Sequence, residues 1–126
     1  MEPIQITPRK LNAAERAVLQ KILSTEFPGS VALLAQIDAC EVVSQWDEQS
    51  VSVDIVPTAS ASPARDAANG PVPVTATVQG LPGDELPLEG EILIWVAGGY
   101  ISGIEYAWYG DEMPTKLPEP QRIIID

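Results

Sequence analysis

The side chains of this sequence that could do chemistry are carboxylates, and several of them are neighbours in the chain. They form three groups: Asp84-Glu85, Glu89 with Glu91, and Asp111-Glu112. Paired carboxylates can ligate calcium or supply the acid and base of a glycosidase. None of the groups has the ligand spacing of a calcium-binding helix-loop-helix site, and two of them fall in expected loops. We therefore interpret these carboxylates as solvent-exposed surface charges.

Other catalytic residue types are scarce. The chain has no histidine, and Cys40 is its single cysteine. The commonest general base and metal ligand is therefore missing, and neither a structural zinc site nor an internal disulfide can form. Cys40 heads an expected strand, where we interpret it as a small buried apolar residue. No glycine-rich stretch opens a helix to cradle a nucleotide. We expect no metal, no cofactor and no enzymatic activity.

Aromatic residues precede the last acidic pair. Trp108-Tyr109 ends an expected strand, and Asp111-Glu112 follows directly. Aromatic side chains anchor many protein interfaces, with charges at the rim. Glu105, inside the same strand, lies on a solvated face or is functionally placed. The predicted partner-binding residues are Trp108, Tyr109, Asp111, Glu112, Glu105, Asp84 and Glu85.

A hairpin is expected to position these residues. The segments 91–97 and 101–109 are rich in β-branched and aromatic residues, and Gly98-Gly99 between them can adopt a positive φ in a tight turn. In the first segment Ile92, Ile94 and Val96 point to one face. The opposite face is also apolar, which predicts a central strand covered on both sides.

Two helices are expected before the strands. Asn12 and Glu15 have the spacing of a capping box, and a helix over 13–25 follows. Its apolar stripe consists of Ala14, Val18, Leu19, Ile22 and Leu23. Pro28-Gly29 ends this helix, and Ser30 caps a shorter one over 31–37.

Period-two patterns predict further strands at 40–46, 51–56 and 74–79. Residues 122–126 form a short edge strand or a frayed tail, and residues 1–10 an extended lead-in. Four prolines make 57–73 a flexible loop. The sequence thus predicts a single α+β domain over 1–126, with two N-terminal helices on one face of a roughly five-stranded antiparallel sheet.

The charge balance restricts the class of partner. Eighteen acidic residues oppose seven basic ones, a net charge of −11. Such a chain repels nucleic-acid phosphates, so a basic protein partner is more favourable, although acidity also promotes solubility. Most of the negative charge lies after residue 29. The start of the chain lacks a signal-peptide pattern, and its longest apolar run, 92–97, is too short to span a membrane. We expect a cytoplasmic location.

The closing segments carry a resemblance to a protein family. Residues 99–106 read GYISGIEY, and Trp108-Tyr109 and a proline-punctuated tail follow. They resemble small, acidic, uncharacterised bacterial proteins whose closing strands read approximately G-x-L-S-x-L-E; residues 26–29 and 51–55 resemble the same group. In size and acidity these proteins are similar to cytoplasmic immunity proteins of bacterial toxin systems, including contact-dependent inhibition. The resemblance implies a non-enzymatic protein that docks on a basic toxin domain and neutralises it.

Two other functions stay open. One is a small enzyme or small-ligand-binding protein that uses a pocket around Glu105, between the sheet and the helices. The other is a subunit of a housekeeping complex.

Overall fold

One antiparallel sheet runs through the chain. A computed structural model describes residues 2–84 and 86–126. Within them the strands are β1 (Ile4–Lys10), β2 (Cys40–Gln45), β3 (Val53–Pro57), β4 (Gly70–Pro71), β5 (Ala76–Gln79), β6 (Leu88–Ala97), β7 (Tyr100–Trp108) and β8 (Ile123–Ile125). Their order in the sheet is β1-β2-β3-β7-β6-β5-β8, and β4 pairs with β6. The prediction of an α+β fold with an antiparallel sheet is confirmed, but the described residues form eight strands rather than about five.

Two helices precede most of the sheet. They are α1 (Ala13–Leu23) and α2 (Ser30–Ala35), and a 3-10 turn, Gln36–Asp38, continues α2. A second 3-10 turn, Pro120–Arg122, leads into β8. Among the described residues, no helix has the length and apolar character that a membrane crossing requires.

The start of α1 follows the predicted capping box. The Glu15 backbone N–H donates to Asn12 Oδ1 at 2.8 Å, and the Asn12 N–H donates to Glu15 Oε1 at 2.9 Å. The guanidinium of Arg9, on β1, donates to both Glu15 oxygens at 2.8 and 2.9 Å. Glu15 is therefore buried, whereas Ala14, expected in the apolar stripe, is exposed. The buried Glu15 carboxylate links α1 to the edge strand β1 through its ion pair with Arg9.

The helices cover one face of the sheet. Alternate residues of β6 are buried there, and the buried side chains of the helices join them in one core: Val18, Leu19, Ile22, Leu23, Leu33, Ile92, Ile94 and Val96. Leu93 and Trp95, on the opposite face, are only half-buried. The prediction that β6 is covered on both sides is therefore wrong. Leu93 pairs with Glu105, which keeps this face partly polar.

Several boundaries differ from those expected. Residues 4–10 pair with β2 instead of forming a free lead-in. Pro8 lies in the stretch where the β1–β2 register shifts, a position that an edge strand tolerates because proline has no N–H. Gly29, with φ of 89°, is the N-cap of α2, so Ser30 is the first helical residue rather than the cap. Residues 123–125 form an edge strand, one of the two predicted alternatives.

The loop over 57–73 packs against the β6–β7 turn through Gln36. The Gln36 amide donates to the carbonyls of Ser62 at 2.9 Å and Gly99 at 2.8 Å, and its oxygen accepts the Ile101 N–H at 2.9 Å. Gln36 is 3% exposed, and the Ala64 N–H also donates to the Gly99 carbonyl. The path of the loop is thus defined by specific contacts, and its flexibility stays a prediction.

Candidate partner-binding surface

The pairing of β6 with β7 brings the predicted contact residues together. Gly90, near the start of β6, lies opposite Trp108 at the end of β7. A Cβ atom on Gly90 would lie 2.9 Å from the Trp108 Cα, so a larger residue would push the strands apart. The loop before β6 and the chain after β7 therefore leave the sheet side by side. The Tyr109 N–H extends the pairing by donating to the Glu89 carbonyl at 2.9 Å.

A shallow cavity of about 480 Å³ lies between these two segments. Asp84 and Leu86 line it from the loop, and Trp108, Asp111 and Glu112 line it from the chain after β7. We call these five residues the edge patch. The cavity thus unites four of the predicted contact residues, and Glu85, the neighbour of two of its members, lies outside the described residues.

Apolar side chains are exposed at and around the edge patch. Trp108 is 41% exposed and Leu86 42% exposed, and a Cβ atom on Gly110 would lie 3.8 Å from Leu86 Cδ1. Leu81, Leu88 and Tyr109 are exposed on the same two segments. Outside these segments, the described residues expose only three other large apolar side chains: Val31, Val56 and Ile124. The concentration of exposed apolar surface beside carboxylates is typical of an interaction surface.

One of the negative charges beside the cavity, that of Glu89, is compensated by Arg122. Arg122 donates to Glu89 Oε2 at 2.7 Å and to the Gln79 carbonyl at 3.0 Å. The Leu81 backbone N–H donates to Asp84 Oδ2 at 2.6 Å, which stabilises the charged form of this carboxylate. Asp84 is therefore ionised at neutral pH, and Asp111 and Glu112 are exposed to solvent. The net charge offered to a partner is negative.

Tyr106 closes the inner side of this cavity. It is 3% exposed, and its hydroxyl donates to Glu89 Oε2 at 3.4 Å. Burial, and then the Glu89 charge, raise the pKa of Tyr106 to about 12. The phenol is therefore neutral at physiological pH and acts as a fixed donor to Glu89.

Tyr109 lies apart from the cavity lining. It is 52% exposed. Partial desolvation, followed by the charge of Glu91 and a hydrogen bond with it, raise the pKa of Tyr109. The structure thus places Trp108 and Tyr109, neighbours in sequence, beside different carboxylates.

Glu105 lies on the face of the sheet opposite the helices. It is half-buried, and the indole N–H of Trp95 donates to its Oε1 at 3.0 Å. A pocket between the sheet and the helices, the site expected for an enzyme or ligand-binding function, therefore does not include Glu105. Glu105 instead lines a separate cavity, together with Trp46, Asp47, Trp108 and Met113.

A larger cavity, of about 750 Å³, lies elsewhere, between the start of α1 and residues 115–117. Its lining includes the Arg9–Glu15 ion pair, in which each charge is satisfied by the other. We interpret it as a groove of the fold. In the described residues, no group of three or more acidic or cysteine side chains is arranged to hold a metal ion.

Sequence reasoning missed two of the residues that shape this surface. Leu86 follows an acidic pair in a loop rich in proline and glycine, where nothing in the pattern separates an exposed leucine from a buried one. Trp46 ends an expected strand, and its contact with the region around Glu105 depends on the order of β3 and β7 in the sheet.

No match to this chain was found among models of protein families, among curated proteins or among solved structures.

Proposed function

We propose that this chain is an immunity-type binding protein that neutralises a basic toxin domain by docking on it through the edge patch. The observation that carries the proposal is the meeting of exposed Trp108 and Leu86 with the carboxylates of Asp84, Asp111 and Glu112 around one cavity. Docking covers the active site or the substrate groove of the toxin domain.

The apolar side chains and the carboxylates of this surface contribute to binding in different ways. Aromatic and aliphatic side chains that become fully desolvated supply most of the binding free energy of an interface. Carboxylates at the rim attract a cationic partner over a distance, which raises the association rate at low salt. The net charge of −11 extends this attraction beyond the patch.

The association kinetics test this division. If the gene immediately upstream encodes a secreted protein, its purified carboxyl-terminal domain is the binding partner for this test. We expect Tyr109→Ala, which truncates an aromatic side chain at the margin of the patch, to speed dissociation, with a loss of about 2 kcal/mol in binding free energy. We expect Asp111→Asn with Glu112→Gln to slow association at low salt and to have less effect at high salt.

A matched control separates local charge from total charge. Glu2→Gln with Glu26→Gln removes the same number of charges from exposed positions near the start of the chain and in the turn between α1 and α2. This control should change association less than the Asp111 and Glu112 variant. Equal effects of the two double variants, with unchanged kinetics for Tyr109→Ala, would place the interface elsewhere. Melting temperatures of the same variants exclude a loss of folding as the cause.

A further inference from the structure

A second cavity adjoins the edge patch through Trp108. It has a volume of about 300 Å³ and is lined by Trp46, Trp108, Met113 and the carboxylate-bearing residues Asp47 and Glu105. We call it the Trp46–Trp108 notch. Its volume lies at the small end of ligand pockets, which suits one side chain better than a drug-sized molecule.

The groups beside the notch are held in place by their neighbours. Trp95 donates its indole N–H to Glu105 Oε1 at 3.0 Å, and Trp46 donates to Asp54 Oδ1 at 3.2 Å. The Ser44 hydroxyl fixes Asp54 in turn, at 2.6 Å from its Oδ2. Groups that are already oriented lose less conformational entropy when a ligand binds. Trp46 and Glu105 are therefore oriented before any partner arrives.

Aromatic rings and carboxylates together define the chemical class of ligand. The face of an indole attracts a cation, and a thioether such as that of Met113 adds polarizable contact. The bond from Trp95 uses one oxygen of Glu105, so the carboxylate retains acceptor capacity on Oε2. A guanidinium fits this set better than an ammonium, because its planar group stacks on aromatic rings and presents several donors to one carboxylate.

We propose that the Trp46–Trp108 notch binds the guanidinium group of an arginine side chain contributed by the basic partner protein. The origin of the arginine rests on the proposed function, whereas the preference of the notch for a guanidinium does not. Trp108 lines both cavities, so the partner can fill the notch with arginine while its neighbouring surface covers the edge patch. Arginine and tryptophan are both enriched among the residues that dominate interface energies.

Indole NMR signals test this proposal directly. The chain has three tryptophans, so its three indole N–H signals can be assigned with single Trp→Phe variants. The probe is N-acetyl-arginine amide, titrated into the ¹⁵N-labelled protein. We expect saturable shifts of the Trp46 and Trp108 signals, which line the notch, and of the Trp95 signal, whose indole bonds Glu105. The dissociation constant should be at least about tenfold higher in Glu105→Gln. Glu26→Gln, which removes one carboxylate from the turn between α1 and α2, should bind as the unaltered protein does.

Uncharged and ammonium probes define the specificity. N-acetyl-citrulline amide has the same shape without the charge, and N-acetyl-lysine amide has the charge without the planar group. We expect no saturable shift with citrulline and weaker binding with lysine. Equal binding of either probe, an absence of saturation with arginine, or normal arginine binding by Glu105→Gln would overturn the proposal.

The outcome is separable from that of the proposed function, since the probe requires no partner protein. If arginine does not bind, the proposal for the notch is wrong, but the proposal that the edge patch docks on a toxin domain is unaffected. Unchanged toxin kinetics in the Asp111 and Glu112 variant, together with normal arginine binding, would instead contradict the role of the edge patch and leave the arginine site standing.

Discussion

Replacing Leu23 with alanine is expected to lower the free energy of unfolding by about 2–5 kcal/mol. Leu23 is 1% exposed and belongs to the core between α1 and the sheet. The substitution removes buried apolar atoms and leaves a cavity that the neighbouring strands can close only in part. Urea unfolding followed by tryptophan fluorescence measures the loss. The slope of the free energy of unfolding against urea concentration should be the same as in the unaltered protein if only stability has changed.

Val31→Ala is the matched control for this prediction. Val31 is a helical apolar residue like Leu23, but it is 83% exposed. Its truncation should change stability by less than about 0.5 kcal/mol. A loss below roughly 0.5 kcal/mol for Leu23→Ala as well would mean that α1 does not pack on the sheet as described.

Gln36→Leu is expected to destabilise the protein by about 3 kcal/mol, because it removes three hydrogen bonds and leaves the buried Ile101 N–H without an acceptor. The Ile101 N–H loses its acceptor, and the Ser62 and Gly99 carbonyls lose a donor. Leucine keeps a similar volume, so most of the loss reflects hydrogen bonding rather than packing. Hydrogen exchange should become faster at the Ile101 amide and along the 57–73 loop.

The location of Gln36 makes this variant informative about function as well. It contacts the turn end of the β6–β7 hairpin, whereas the edge patch lies at the opposite end, where Gly90 faces Trp108. Partner binding by the folded variant should therefore be retained. Gln20→Leu, on the exposed side of α1, is the control. Unaltered exchange at Ile101 would show that the Gln36 hydrogen bonds do not fix the loop.

The hairpin and the first helix were predictable because local signals agreed with tertiary packing. Asn12 and Glu15 form their capping box within one turn, and Gly98 and Gly99 both adopt positive φ in the tight turn. The edge strands β1 and β4 were not predicted. Both contain proline and few buried side chains, so the period-two pattern on which strand prediction depends is weak there.

Irregular register also limited prediction from the sequence. The β6–β7 pairing shifts between Trp95 and Val96, and Ile101 and Ile104 are both buried although they are an odd number of residues apart. A strict alternation assigns these two residues to opposite faces. The extra residue in β7 is visible only when the partner strand is known.

The candidate site was predictable to the extent that it depends on the hairpin. Once β6 and β7 pair, their open ends must lie side by side, which brings Asp84 toward Trp108, Asp111 and Glu112. The path of the loop before β6 has no such local signal. Which aromatic residue lines the cavity also depends on strand twist and on the half-buried Glu91, so Trp108 and Tyr109 could not be separated in advance.

Site-specific cross-linking tests the central claim, that the edge patch is the docking surface for a basic protein. A photo-reactive amino acid replaces Leu86 in the patch or, as a control, Val31 on the exposed side of α2. Each variant is irradiated with a purified candidate toxin domain and in cells that produce that domain. We expect position 86 to cross-link to the domain in both settings, and unlabelled protein to compete for it, while position 31 remains unlinked. Efficient cross-linking from position 31 with none from position 86 would contradict the account.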